Sequence, residues 1–203
     1  MVELIVTVGP PASGKSTWAQ KMSEREGYAW VSSDNIRKNY EYNISNTDVF
    51  SEMFEVTKTN LKEGASVIYD ATNLSMKRRV NLISNIKQLT INNIILFRCE
   101  VFVAPVDLLK ERNAQRIDAN CVPEAVIDRM IKNFEFPQYF EGWDFININD
   151  NSVGKEFHLN SMIIALWGRQ IYLITVKMHG LHSLIQAERA LVCCIVEHMQ
   201  RRA

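Results

Sequence analysis

The chain has 203 residues, 47% of them apolar, and its 23 lysines and arginines are matched by 23 acidic residues. That is ample apolar material for a core, which excludes global disorder, and the length fits one α/β domain of ordinary size with at most a small appendage. A net charge of zero excludes a general polyanion-binding surface, so any nucleic-acid contact has to be a local patch.

The elements alternate along the chain. Leu4-Ile5-Val6-Thr7-Val8 is a short, β-branched run that reads as a buried strand, and Thr17 to Glu26 reads as a helix. Tyr28 to Ser32 is a second short strand, after which Ser33-Asp34-Asn35 caps a helix carrying Ile36, Arg37 and Tyr40. Thr47 to Lys62 is a long amphipathic helix with Val49, Met53, Val56 and Asn60 near one face, closed by Gly64. Ser66 to Tyr69 is a third strand ending at Asp70, and a basic helix runs from Met76 to about Leu89. Asn93 to Val103 is a long strand rich in Ile, Leu, Phe and Val. Pro105 starts a helix in its first turn, where proline is tolerated. Ile117 to Val122 is a polar break, Ala125 to Glu135 a further helix ended by Pro137, and Glu141 to Ile148 a turn with a last strand. Strands alternating with helices predict a mostly parallel five-stranded sheet covered on both faces, a three-layer α/β/α sandwich.

Residues 1–150 are read as this domain. Asn151 to Lys155 resembles a linker, and residues 151–203 are expected to form a mostly helical appendage or part of a truncated second domain. The longest apolar stretch, Met162 to Val176, is interrupted by Arg169 and Gln170 and is too short for a membrane span. None of Cys99, Cys121, Cys193 and Cys194 forms a C-x-x-C pair, and a first strand starting at residue 2 leaves no room for a targeting peptide, so a reduced, cytoplasmic compartment is expected. The four histidines, at 158, 179, 182 and 198, have no convincing metal-ligand company.

Between the first strand and first helix lies Gly9-Pro10-Pro11-Ala12-Ser13-Gly14-Lys15-Ser16-Thr17, which fits G-x-x-x-x-G-K-[ST] at every required position. Glycines let the backbone wrap closely round an anion, and the unpaired N–H groups of the loop and first helical turn, with the helix dipole, supply positive charge. Lys15 is placed to reach the β- and γ-phosphates of a nucleoside triphosphate, and the Ser16 hydroxyl to ligate Mg2+.

Ligands of parallel sheets bind at the carboxyl ends of the strands, where Gly9, Asp34 and Asp70 fall. Transfer of a phosphoryl group to an alcohol needs an acceptor for the hydroxyl proton. A carboxylate at Asp34 supplies one, with much of its value in positioning; its alternative role is a helix N-cap. Arg37 offers a planar fork for phosphate oxygens, or is a solvated arginine. Asp70, ending an apolar strand, has the look of a Walker-B carboxylate holding Mg2+ or its waters, or else caps a turn. Arg112 and Arg116, four apart on one helix face, suit a triphosphate lid or a solvated face. Lys77, Arg78 and Arg79 read as surface, with a substrate contact in a basic acceptor channel as the alternative, and Trp18 and Trp30 as core.

Taken in order, Gly9-x-x-x-x-Gly14-Lys15-Ser16-Thr17-Trp18, Asp34-x-x-Arg37, Asp70-Ala71-Thr72-Asn73-Leu74 with Arg78-Arg79, Arg112-Asn113-x-x-Arg116 and Val122-Pro123 resemble the kinase domain of bacteriophage polynucleotide kinase and related bacterial P-loop kinases, over residues 1 to about 148. The resemblance implies ATP-dependent phosphate transfer to a 5′-hydroxyl end of DNA or RNA. By position it makes Asp34 the general base, Arg37 a contact to the nucleic-acid phosphate and Arg116 the arginine that stabilises the transferring phosphate. Lys15 and Ser16 would serve ATP and Mg2+, Arg112 would sit on the nucleotide side, and Asp70 and Asn73 on the substrate side. Ser33 stands where the phage enzyme has a basic residue, and no D-x-D-x-T phosphatase signature is present. Two other readings share parts of this pattern: a kinase for a nucleoside, sugar or antibiotic, and a nucleotide-binding switch that transfers nothing.

Overall fold

Val2–Val8 (β1), Ala29–Ser32 (β2), Val67–Asp70 (β3), Ile95–Val103 (β4) and Phe145–Asp150 (β5) form one sheet in the order β2-β3-β1-β4-β5, and every neighbouring pair is parallel. This computed structural model describes residues 1–40, 44–89, 93–116 and 121–151. The expected helical appendage, the four histidines and two of the four cysteines fall outside the described residues.

Parallel neighbours cannot be joined by a tight turn, so each connection has to cross a face of the sheet, and the crossings bring the helices. Lys15–Glu26 (α1) lies on one face, where Ile5 and Ile68 pack against Ala19 and Met22. The other face is the larger core. Leu4, Val6 and Val8 meet Val49, Met53 and Leu61 of Asn46–Lys62 (α3) and Leu82, Ile83 and Ile86 of Met76–Lys87 (α4). β1 is therefore buried from both sides, which is why its sequence is a nearly unbroken apolar run. Ser33–Lys38 (α2), Val106–Ala114 (α5) and Glu124–Lys132 (α6) complete the helices, and a short 3-10 turn spans Tyr139–Glu141.

Several boundaries shift for identifiable reasons. α1 begins at Lys15, two residues before the expected start, because Gly14 adopts a left-handed conformation (φ 96°) and lets the helix open inside the loop. The cap of α2 is Ser32, whose hydroxyl accepts the Asn35 N–H at 3.4 Å, and not the Ser33-Asp34-Asn35 run. The buried stripe of α3 is Val49, Met53, Thr57 and Leu61, a strict four-residue spacing, while Val56 is exposed. The sheet is wholly rather than mostly parallel.

After β1 the chain builds outward to β2, returns through β3, then crosses to β4 and β5 on the other side. The carboxyl end of β1 is thus the point where the strand order reverses, and ligands of open α/β sheets bind there.

Candidate active site

The loop from Gly9 to Thr17 occupies that position. Gly9 has no room for a side chain, since a Cβ there would lie 2.5 Å from the Phe102 carbonyl oxygen of β4. Its N–H donates to the Thr72 carbonyl at 3.0 Å, tying the loop to the segment after β3. Pro10, Pro11, Ala12 and Ser13 are buried, and Ala12 takes a positive φ of 63°. No side chain caps α1, and no acidic residue lies in its first turn. The first N–H groups of that helix and its dipole therefore face the loop without a competing anion, which suits a phosphate. Ser16 and Thr17 are exposed on this first turn.

Lys15 is buried, at 7% exposure, with its ammonium donating to the Pro10 carbonyl at 2.7 Å and to Ser13 Oγ at 3.4 Å. Burial pulls its pKa down from the usual 10.5 to about 8, Asp70 raises it, Arg116 lowers it further, and Asp34 raises it. Three residues singled out on separate elements, Asp34, Asp70 and Arg116, thus share one electrostatic neighbourhood with the loop lysine. A buried ammonium whose charged form is penalised by desolvation gains from an incoming polyanion.

Asp70, at the carboxyl end of β3, is 2% exposed. Its Oδ1 accepts the Thr7 hydroxyl at 2.9 Å and its Oδ2 accepts the Trp30 indole N–H at 3.2 Å. Trp30 is half-buried, packs against the core cluster of Ile5, Ala19, Met22 and Ile68 as expected, and also serves this carboxylate; Trp18, also half-buried, packs against the same cluster and meets Phe102 edge-on at 5.7 Å. Asp34 lies in the first turn of α2, relieved of capping by Ser32, and pairs with Arg37 at 3.0 Å. Arg37 also donates to Asn46 Oδ1 at 2.9 Å, so it reaches toward α3 and not toward the phosphate loop. Both members of the pair are exposed, which makes it weak and easily exchanged for a ligand contact.

Asn73 is buried with φ 46°, and its Nδ2 donates to the Thr7 carbonyl at 2.8 Å, one residue before β1 ends. What holds this segment is a residue read as surface. Arg79 is 1% exposed; its guanidinium grips Glu141 with two hydrogen bonds of 2.7 and 2.8 Å and donates to the Asn73 and Leu74 carbonyls at 2.9 and 3.0 Å. Glu141 also accepts the Trp143 indole N–H and the Gln138 backbone N–H. The readable signal was helical phase, because Arg79 falls on the same buried stripe as Leu82, Ile83 and Ile86.

Arg112 and Arg116 lie on the other flank. With Ala12, Gly14, Thr17 and Trp18 they line a groove of about 500 Å3. Asn151, read as the start of a linker, belongs to this site: its Nδ2 donates to the Ser13 carbonyl at 2.7 Å, and its carbonyl accepts from Arg112 at 3.1 Å.

The donor set fits Mg2+, which keeps most of its waters and takes only one or two protein oxygens beside phosphates. Ser16 presents an exposed hydroxyl, and Asp70 retains lone pairs beyond the two it uses. Among the described residues no cluster of three or more His, Cys, Asp or Glu side chains offers a protein cage for another metal. No helix among them is long and apolar enough to cross a membrane.

A parallel sheet with this loop at its reversal point defines a P-loop nucleotide-binding protein. Residues 4–137 match the model of the AAA domain family, and the chain belongs to that family. A protein of Acanthamoeba polyphaga mimivirus bearing the name bifunctional polynucleotide phosphatase/kinase is 28% identical over 149 residues, which cover 71% of this chain and 32% of that protein. The chain thus spans about a third of the length of that relative. Among solved structures, one from Chloroflexus aurantiacus named as a kinase matches with a TM-score of 0.61 at 16% identity, over 81% of this chain and 96% of the other. A fungal RNA kinase matches with a TM-score of 0.53 at 18% identity, over 76% and 77%. A sugar kinase from Janibacter matches with a TM-score of 0.54 at 16% identity, over 74% and 86%. The motif resemblance to P-loop polynucleotide kinases and the α/β/α fold are both met by these likenesses.

Proposed function

We propose that the protein is an ATP-dependent phosphotransferase acting on a hydroxyl, and that the acceptor is the 5′-hydroxyl end of DNA or RNA. The observation that carries this reading is the convergence of Asp70, Arg116 and Asp34 on Lys15, which joins a phosphate loop and an exposed, weakly paired carboxylate in one site. Asp34 takes the proton of the acceptor hydroxyl as its oxygen bonds to the γ-phosphorus and the bond to the bridging oxygen of ADP breaks. Lys15 and the backbone of Gly9 to Thr17 bind the β- and γ-phosphates; Arg116 offsets charge on the transferring group, with Arg112 beside it on the nucleotide flank. Arg37 exchanges its exposed pairing with Asp34 for an acceptor phosphate, and Asn73 fixes the floor of the acceptor side. Ser16 and, through waters, Asp70 would hold Mg2+, which would supply charge neutralisation for the bound phosphates. ATP chemistry of this kind fits a cytoplasmic location.

The motif resemblance and the mimivirus relative support a nucleic-acid acceptor over a sugar or antibiotic. The test offers labelled ATP with 5′-hydroxyl DNA and RNA oligonucleotides and a panel of small alcohols. Label on the oligonucleotide 5′ ends is expected. Label confined to a small alcohol, or ATP bound without any transfer, overturns the assignment.

A further inference from the structure

A second groove, of about 410 Å3, runs between α3 and α4 on the flank away from Arg112 and Arg116. On one wall the Arg78 guanidinium stands 4.5 Å from the centre of the Phe50 ring. At its base is Tyr69 of β3, only 4% exposed, whose hydroxyl makes no hydrogen bond to the described residues. Tyr69 lines the groove, where its phenol can meet the hydrogen-bonding edge of a ligand. Burial raises its pKa, which keeps the proton on and leaves it able both to donate and to accept. Asn81 and Asn85, four apart on α4, add two exposed amides, and among the described residues no carboxylate lines the groove.

The groove also points to the reaction site. At one end is Asn73, bonded to Thr7 just before the phosphate loop. Its lip includes Asn46, bonded to Arg37, which pairs with Asp34. An aromatic and guanidinium surface beside groups that both donate and accept, with no acid to repel a phosphate, matches a flat heterocycle with hydrogen-bonding edges on an anionic backbone.

We propose that this groove takes the base of the acceptor's 5′-terminal nucleotide, which stacks against Phe50 and Arg78 and meets Asn81, Asn85 and Tyr69 at its edge. The proposal rests on the polynucleotide reading above and sharpens it: the acceptor is recognised by its terminal base as well as by its hydroxyl and phosphate.

The experiment measures kcat/KM for two 5′-hydroxyl oligonucleotides, identical except that the 5′-terminal nucleotide of one is abasic. In the wild-type chain, loss of the base should lower kcat/KM by about 5- to 100-fold, mostly through KM, the range of a base–aromatic stack. In Phe50→Ala that ratio should collapse toward one. Asn81 is exposed, so Asn81→Asp tests the groove without disturbing the core, and it should shrink the ratio by replacing an amide donor at the base edge with a carboxylate that can only accept. Equal use of both oligonucleotides by the wild type, or an unchanged ratio in Asn81→Asp, overturns the groove assignment and leaves the kinase reading standing. If neither oligonucleotide is phosphorylated, the polynucleotide reading itself falls and takes this one with it.

Discussion

The two grooves beside the phosphate loop are alike in having, among the described residues, no acidic residue in their walls, and they differ in almost everything else. The one toward α5 carries Lys21, Arg112 and Arg116 next to the loop backbone. The one between α3 and α4 carries a single arginine, laid over a phenylalanine, with amides and a buried tyrosine. Three cations suit a triphosphate; one cation with aromatic surface suits a ring on a sparsely charged strand. Lys15, Asp34 and Asp70 share one electrostatic neighbourhood, and in the proposed reading the difference between the grooves makes one the donor side and the other the acceptor side.

That division can be broken from either side. The largest effect belongs to Lys15 and the donor flank. Lys15→Ala should abolish transfer, and Arg116→Ala should lower kcat by roughly 10³-fold, the worth of an arginine that meets the transferring phosphate. Steady-state kinetics with both substrates varied would check this; a loss of ATP affinity alone would make Arg116 a binding residue and not a transition-state one. Next comes the scaffold of the acceptor side. Glu141→Gln leaves Arg79 buried without its counter-charge and should lower stability by about 3–5 kcal/mol in denaturant unfolding. An unchanged midpoint would mean that the pair does not hold the segment containing Asn73.

Smaller effects come from the titration of Lys15. Its pKa in the free protein is about 8, and bound phosphates favour the charged form, so the pKa of the complex is higher. ATP affinity should therefore be flat below about pH 8 and fall by up to ~10-fold per unit above it. Folding runs the other way. Between about 8 and 10.5 the unfolded chain binds more protons than the folded one, so the contribution of Lys15 to stability rises with pH. Lys15→Met should accordingly melt at a higher temperature than the wild type at pH 7, with the gap narrowing toward pH 10.5. A lower Tm for that variant at pH 7 would mean that the buried ammonium is stabilised by the loop rather than strained by it.

The strands, their parallel order class and the phosphate loop were legible because each is a local pattern: β-branched runs, glycine spacing, strand followed by helix. Asp34 and Asp70 were legible because strand ends mark the site edge of a parallel sheet. Arg79 was not, because its partner Glu141 lies 62 residues on and only the folded chain brings them together. Asn151 was missed for the same reason, its contact to Ser13 spanning 138 residues. Trp30 was legible as a residue packed on the core, but its bond to Asp70, 40 residues on, was not, because only the pairing of β2 with β3 brings the two together. The groove between α3 and α4 escaped notice because its lining alternates among amides, aromatics and one arginine on three separate elements.

The division between a donor flank and an acceptor flank rests most directly on Asp34, and Asp34→Asn tests it with one protein. Titration with ATP should give an affinity within about twofold of the wild type, while transfer to a 5′-hydroxyl oligonucleotide at saturating ATP should be slower by ~10²-fold or more. Full turnover in this variant, or a collapse of ATP binding with turnover intact, would contradict the account.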